Sequence, residues 1–220
     1  MVQVITLASL LFTRGAARFA DSAELLDDLS IFDAACPEQR DNLSDSLLDA
    51  ALASVLMSYM GAEAKLNELY MEHSLSPEVS HWFPGLEPQL AARFEAAWNA
   101  GAMKLSPIEK VDLALVIAGV PPLDWATPIP QRFRLLHTLR NDLVHHKPLS
   151  VRHGQVSADS DDKLERKLHT QFDSARIWTG KGAAYRWNGC LGAGCARWAT
   201  VTTHAFFALF FGRLGIDYLK

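Results

Sequence analysis

Residues 44–70 read SDSLLDAALASVLMSYMGAEAKLNELY. Leu48, Leu52, Val55, Tyr59, Ala62, Leu66 and Leu69 recur at steps of three and four, the period of a helix with one side turned inward. Ser44 or Asn42 can cap its start, and Pro77 lies beyond its end. The stretch predicts one long amphipathic helix. Strand signals elsewhere are scarce, so the fold class expected is all-α.

The flanking sequence supports that expectation. Residues 4–29 read as a first helix, with Leu7, Leu10, Leu11, Phe19, Leu25 and Leu26 on its apolar side and Gly15 weakening its middle. Pro37 and the polar run to Asn42 read as a break. After a loop carrying Trp82, Phe83, Pro84 and Gly85, a helix begins near Pro88, uses Leu90, Phe94 and Trp98, and stops at Gly101. Ser106-Pro107-Ile108-Glu109 is a capping box with proline at the first helical position, opening a helix that runs to about Ala118 before Gly119 and Pro121-Pro122. Thr127-Pro128 opens the next, which runs to about Lys147, where Pro148 stops it.

Residues 149–162 are polar and read as a loop. Leu164, Leu168, Phe172 and Ala175 predict a short amphipathic helix, and Gly180 and Gly182 break it off. The last helix, about 183–214, carries Gly189, Gly192, Ala193, Gly194, Ala196 and Ala199, small residues that let another helix approach closely. No internal repeat, low-complexity tract or domain boundary stands out. One all-α domain over residues 1–220 is expected.

Composition bounds the function. The 220 residues are 49% hydrophobic and 21% charged, enough apolar content for a packed core. A net charge of -4 argues against coating duplex nucleic acid through a broad basic face, and leaves room for a small basic cleft. Cys36, Cys190 and Cys195 form no disulfide or zinc-type spacing and read as reduced thiols. Val2 to Phe12 is apolar but has no basic segment before it, and the run from Trp198 to Phe211 is short and interrupted by Thr200, Thr202, Thr203 and His204. The expectation is a cytoplasmic protein that does not enter a membrane.

The helix opened by Thr127-Pro128 carries the chemistry. At 100° per residue, Arg134, His137, Asn141 and His145 lie on one polar stripe. Phe133, Leu136, Leu139, Leu143 and Val144 form an apolar stripe beside it, and Arg140 falls among them. A partly buried arginine is costly without a carboxylate. Glu63 is the first candidate partner and Asp112 the second. An arginine, an amide and an imidazole at one place are what cleavage of an RNA phosphodiester requires: a proton acceptor or donor, a charge to neutralise the phosphorane, and a group to orient sugar or phosphate. Arginine followed by asparagine, with histidine five residues after the arginine, arises by chance in about one chain of this length in a hundred.

Leu139-Arg140-Asn141-Asp142-Leu143-Val144-His145 resembles the hallmark of the HEPN (higher eukaryotes and prokaryotes nucleotide-binding) family: arginine, a polar residue, spacers and histidine near the end of a helix. Residues 61–70, which contain Glu63, are similar to a second, looser element of several HEPN groups. The resemblance implies a HEPN-like four-helix bundle core over about 44–214, with a helical extension at 1–43 and a long insertion at 149–182. It implies a homodimer in which two motifs form one composite site, and metal-independent cleavage of RNA in prokaryotic defence or stress response. Arg140, Asn141 and His145 would be catalytic; Glu63, His146 and Lys147 would support them; Arg134 and His137 would contact RNA. No cofactor or metal is implied. RNA and a neutralising or targeting protein are the implied partners. Toxin members silenced by nucleotidylation carry a tyrosine two residues after the histidine, where this chain has Lys147, so that control is not carried over.

Other readings of the same residues stand beside this one. Family members without cleavage bind RNA or a nucleotide, or serve as dimerising subunits. Arg140 could simply tie two helices together, and His145 and His146 are favoured near a helix C-terminus by its dipole alone. His145, His146 and His153 match no standard metal-ligand spacing. No nucleophile elbow, no Cys-His pairing and no H-E-x-x-H occurs, so hydrolases of those kinds are not expected.

Overall fold

The described residues bear out the all-α expectation. The computed structural model describes residues 8–72, 83–145, 161–178 and 189–217, and among them there are eight α-helices and no strand. These are α1 (Ala8–Leu26), α2 (Leu29–Ala34), α3 (Pro37–Met71), α4 (Pro88–Asn99), α5 (Pro107–Ala118), α6 (Pro128–Val144), α7 (Asp161–His169) and α8 (Ala193–Arg213). They are distributed over two compact units whose segments alternate along the chain.

The unit comprising Arg14–Ser58 and Leu135–Val201 depends on close approaches. A side chain begun at Gly15 would place its Cβ 2.6 Å from Met57 Sδ, so glycine lets α1 lie against α3. Ser54, buried on α3, donates to the carbonyl of Ala16 on α1 at 2.9 Å and reaches that of Ala196 on α8 at 3.3 Å. Gly192 is constrained in the same way, because a Cβ there would lie 2.5 Å from that of Ala175.

Several predicted boundaries shift for local reasons. The first helix stops at Leu26 rather than at residue 29, because Asp28 caps α2, accepting the Ser30 N–H at 2.8 Å. Its neighbour Asp27 accepts the backbone N–H groups of Arg176 (2.7 Å), Ile177 (3.3 Å) and Ala193 (3.4 Å). Pro37 opens α3 instead of breaking the chain, since the first helical position needs no N–H bond. Arg40 closes the corner by donating to the carbonyls of Phe32 (3.0 Å) and Asp33 (2.8 Å) at the end of α2. The short helix expected through Ala175 ends at His169, and Phe172 packs against Trp198 with ring centres 5.3 Å apart. The last helix, α8, begins at Ala193, and residues 183–188 of the expected helix lie outside the described residues.

The other unit, drawn from Tyr59–Arg134 with Met1–Thr13 and Thr202–Lys220, has an aromatic core. Phe133 on α6 stacks on Phe206 of α8 at 3.9 Å with the rings 5° from parallel, and Tyr59 lies 6.2 Å from Phe133. Phe207, Phe210 and Phe211 are fully buried around them. The capping box of α5 forms as read, with Ser106 and Glu109 bonding each other's backbone N–H, and Gly119 ends the helix in the left-handed conformation. Tyr70 donates its hydroxyl to the carbonyl of Lys110 at 2.7 Å, which ties α3 to α5.

α3 has the length and apolar composition to cross a bilayer, and it is the one described helix that does. Here Leu47, Ala51, Val55, Tyr59, Ala62, Leu66 and Leu69 of that helix are buried within the protein.

Asp27 makes a test of this framework. Asp27→Ala leaves three backbone N–H groups without their acceptor and should lower stability by about 2–4 kcal/mol, read from urea unfolding. Burial raises the Asp27 pKa above its ordinary value of 3.8, against the lowering effect of the three donors. The folded state therefore holds this proton to higher pH than the unfolded chain does. Its contribution is complete below 3.8 and is lost as pH rises through the raised value. The stability of the wild type relative to Asp27→Asn should fall over that window; a rise would contradict the assignment.

Candidate functional site

The phase of α6 is set at its start. Asp124 accepts the Ala126 N–H at 2.9 Å, Thr127 donates its hydroxyl to the Asp124 carbonyl at 2.7 Å, and Pro128 takes the first helical position. From that phase Phe133, Leu136 and Leu139 turn inward and are buried. Leu143 is half-buried, whereas Val144, read as part of the same stripe, is 47% exposed. The helix ends at Val144, three residues short of the expected end, and the His145 N–H makes the last helical bond to the Asn141 carbonyl at 2.9 Å. His146 and Lys147 lie outside the described residues.

Arg140, Asn141 and His137 are half-buried and joined in one chain of hydrogen bonds. Arg140 Nη1 donates to Asn141 Oδ1 at 3.1 Å, and Asn141 Nδ2 lies 3.0 Å from His137 Nε2. A guanidinium can only donate, so the amide oxygen must face Arg140 and the amide nitrogen must face His137. Nε2 of His137 then accepts, which places the proton of a neutral imidazole on Nδ1. Sequence geometry put His137 and Asn141 one turn apart on the same stripe, and they meet. It placed Arg140 on a different face, and the arginine reaches its immediate neighbour instead. The His145 side chain is exposed just beyond the helix end.

Arg134, exposed on α6, holds its guanidinium carbon 5.1 Å from the centre of the Trp125 ring. Trp125 donates its indole N–H to Asp112 at 2.9 Å and lies 5.9 Å from Phe206, 26° from parallel. Asp112, the second carboxylate considered for Arg140, thus fixes Trp125. Nothing in the sequence signalled this layer beyond the turn at Asp124 to Pro128.

Glu63 is half-buried on α3, where its charge favours the protonated form of Lys110. Burial acts more strongly and in the opposite sense, so the Lys110 ammonium loses its proton more readily than an ordinary lysine. Lys110 is 1% exposed; its Nζ donates to Asn67 Oδ1 at 2.7 Å and lies 5.3 Å from the centre of the Trp98 ring. The sequence carried one sign of this lysine, its position between Pro107 and Ala114 on the apolar side of α5.

Away from these residues, an open groove of about 710 Å³ runs along α2 and the start of α3, with Ile31, Ala34 and Leu43 in its wall. It contains none of the candidate catalytic or RNA-contacting residues read from the sequence. Among the described residues no three His, Cys, Asp or Glu side chains converge as a metal-binding group. No protein-family model matches this chain, and no curated protein or solved structure matches it.

The hydrogen-bond chain has a spectroscopic consequence. Long-range 1H–15N spectra of histidine-labelled protein at neutral pH should show His137 as the Nδ1–H tautomer, and Asn141→Ala should shift its Nε2 resonance as that nitrogen loses the amide donor. An Nε2–H signal for His137 in the wild type would mean that Asn141 is oriented otherwise.

Proposed function

We propose that the chain is a HEPN-type endoribonuclease that cuts RNA by attack of the 2′-hydroxyl on the adjacent phosphodiester, without a metal ion. The observation that carries this reading is the chain of hydrogen bonds from Arg140 through Asn141 to His137 at the C-terminal end of α6. It gathers a permanent cation, a fixed amide and an imidazole on one half-buried helical turn. The resemblance of residues 139–145 to the family hallmark supplies the reaction.

In that reaction His145 takes the proton of the 2′-hydroxyl, and the 2′ oxygen bonds to phosphorus. Arg140 neutralises the phosphorane, a task suited to its planar, always charged fork. The bond from phosphorus to the 5′ oxygen then breaks and that oxygen receives a proton, leaving a 2′,3′-cyclic phosphate and a 5′-hydroxyl. Asn141 acts on the reaction by holding Arg140. A second copy of the chain supplies the second Arg140 and His145, one histidine serving as base and the other as acid. The proposed setting is the cytoplasm of a prokaryotic cell under phage attack or stress, with a protein partner that restrains or directs cleavage.

One observation favours a second reading. The hydrogen bonds connect Arg140 upstream to His137, while the side chain of His145 lies exposed beyond the helix. An arginine so arranged also suits a module that binds the phosphate of RNA or of a nucleotide without cutting it.

Incubation with mixed RNA in excess chelator separates the two. Wild-type protein should cut RNA to products with 2′,3′-cyclic ends and leave DNA of the same sequence intact. Arg140→Ala and His145→Ala should each slow cleavage by about a hundredfold or more. Undiminished cutting by both variants would sink the proposal, as would loss of all cutting on chelation. RNA retained without cleavage would favour the binding module.

A further inference from the structure

The negative charge of the chain is unevenly placed. Residues 28–49, which supply α2 and the first part of α3, hold six carboxylates and one cation, Arg40, a net charge of -5 against -4 for the whole chain. Arg40 is engaged with the carbonyls of Phe32 and Asp33. The same stretch lines the open groove of about 710 Å³. We infer that this groove is a docking site for a basic amphipathic helix of another protein. The inference does not depend on RNA cleavage, and no RNA enters its test.

The groove lies within one compact unit, where a six-residue helix meets a long one. Ile31 and Ala34 line it from α2, and Gln39, Asn42, Leu43 and Ser46 from α3. Ile31 is 49% exposed, and Leu29, two residues before it, is 45% exposed. Large apolar side chains left open to water beside a concave seam suit an interface. The four α3 residues recur at steps of three, one and three, which is one face of a helix. Glu38, Asp45 and Asp49 share the next stripe with Asn42, at steps of four, three and four, and all three are exposed. Asp45 and Asp49, four residues apart and beyond the first turn, repel each other along α3 and gain nothing from its dipole. The lining is therefore uncharged and partly apolar, and its rim on the α3 side is acidic.

Charge decides the occupant. RNA and an anionic membrane surface both meet repulsion at this rim. A second copy seated about a twofold axis would bring the same carboxylates face to face. A cationic protein segment is attracted instead. The seam between two helices accepts a third, whose apolar side chains at i, i+3, i+4 and i+7 enter the groove while lysines or arginines beside them meet Glu38, Asp45 and Asp49. The lining on α3 runs for about 10 Å, so about two to three helical turns of the partner fill it.

The test selects phage-displayed helical peptides, randomised on one face, against the full chain at low salt. The recovered peptides should carry apolar residues at steps of three and four, flanked by lysine or arginine. A synthetic copy, read by fluorescence anisotropy, should bind Ile31→Ser about tenfold more weakly than the wild type. Asp45→Lys/Asp49→Lys should also bind about tenfold more weakly at low salt, and the difference should close at about 0.5 M salt. Ile31, Asp45 and Asp49 are exposed, so both variants should keep the wild-type circular dichroism. Recovery of no peptide, or only of neutral or acidic ones, would overturn the proposal. So would equal binding by the wild type and both variants, which puts the peptide elsewhere. A concentration-dependent dimer that Ile31→Ser dissociates in sedimentation would make a second copy the occupant and overturn it too.

Discussion

The constraint on which the rest of the structure depends is the burial of α3, whose residues enter the cores of both compact units. In its first part the buried positions are Ser44, Leu47, Ala50, Ala51, Ser54, Val55 and Ser58. From Tyr59 onward they are Tyr59, Gly61, Ala62, Leu66, Leu69 and Tyr70. The helix passes from one compact unit to the other after Ser58, so each part of α3 acquires its own cover. The first is met by α1 and the start of α8 through the shared hydroxyl of Ser54. The second faces the aromatic rings of Phe133 and Phe94. Serine suits the first part because two buried helices can come close only around small side chains, and its hydroxyl still finds a carbonyl.

Elements specified by their own residues were legible in the sequence. The capping box at Ser106 to Glu109 and the opening of α6 at Thr127-Pro128 are closed by groups within a few residues, and both formed as read. Boundaries decided from a distance were not. Asp27 ends its helix facing amides 149 and 166 residues away. Gly189 and Gly192 looked like the small face of a helix, yet Gly192 is glycine because the backbone of Ala175 passes against it. The inward face of the first half of α3 was misjudged because Leu48 and Leu52 continue the period of the second half, and both are only half-buried. The change of unit within α1, α3, α6 and α8 left no linker for composition to reveal.

The candidate site divides along the same line. His137 and Asn141 are four residues apart, a spacing that places side chains together on any helix, so their contact followed from arithmetic. Arg140 and Asn141 are adjacent and diverge on a regular helix, and only the length of the arginine brings its guanidinium back to the amide. The resulting order matters for chemistry. An asparagine caught between a pure donor and an imidazole has one usable orientation, so the arginine and the histidine constrain each other through it. The layer of Arg134 on Trp125 was illegible because it requires α5, the turn before α6, and α8 at once.

The alternation of the two units along the chain also governs when they can form during synthesis. The aromatic core around Phe133 is closed by Phe206, Phe207, Phe210 and Phe211, which follow Phe133 by about seventy residues or more. The other unit waits for Ala193 and Ala196 to meet Asp27 and Ser54. Neither can complete its core while α8 is still inside the exit tunnel. Contacts of such sequence separation fold slowly, and the apolar face of α3 remains uncovered until they do. A nascent chain of this design therefore keeps apolar surface open to chaperones until α8 has emerged and closed both cores.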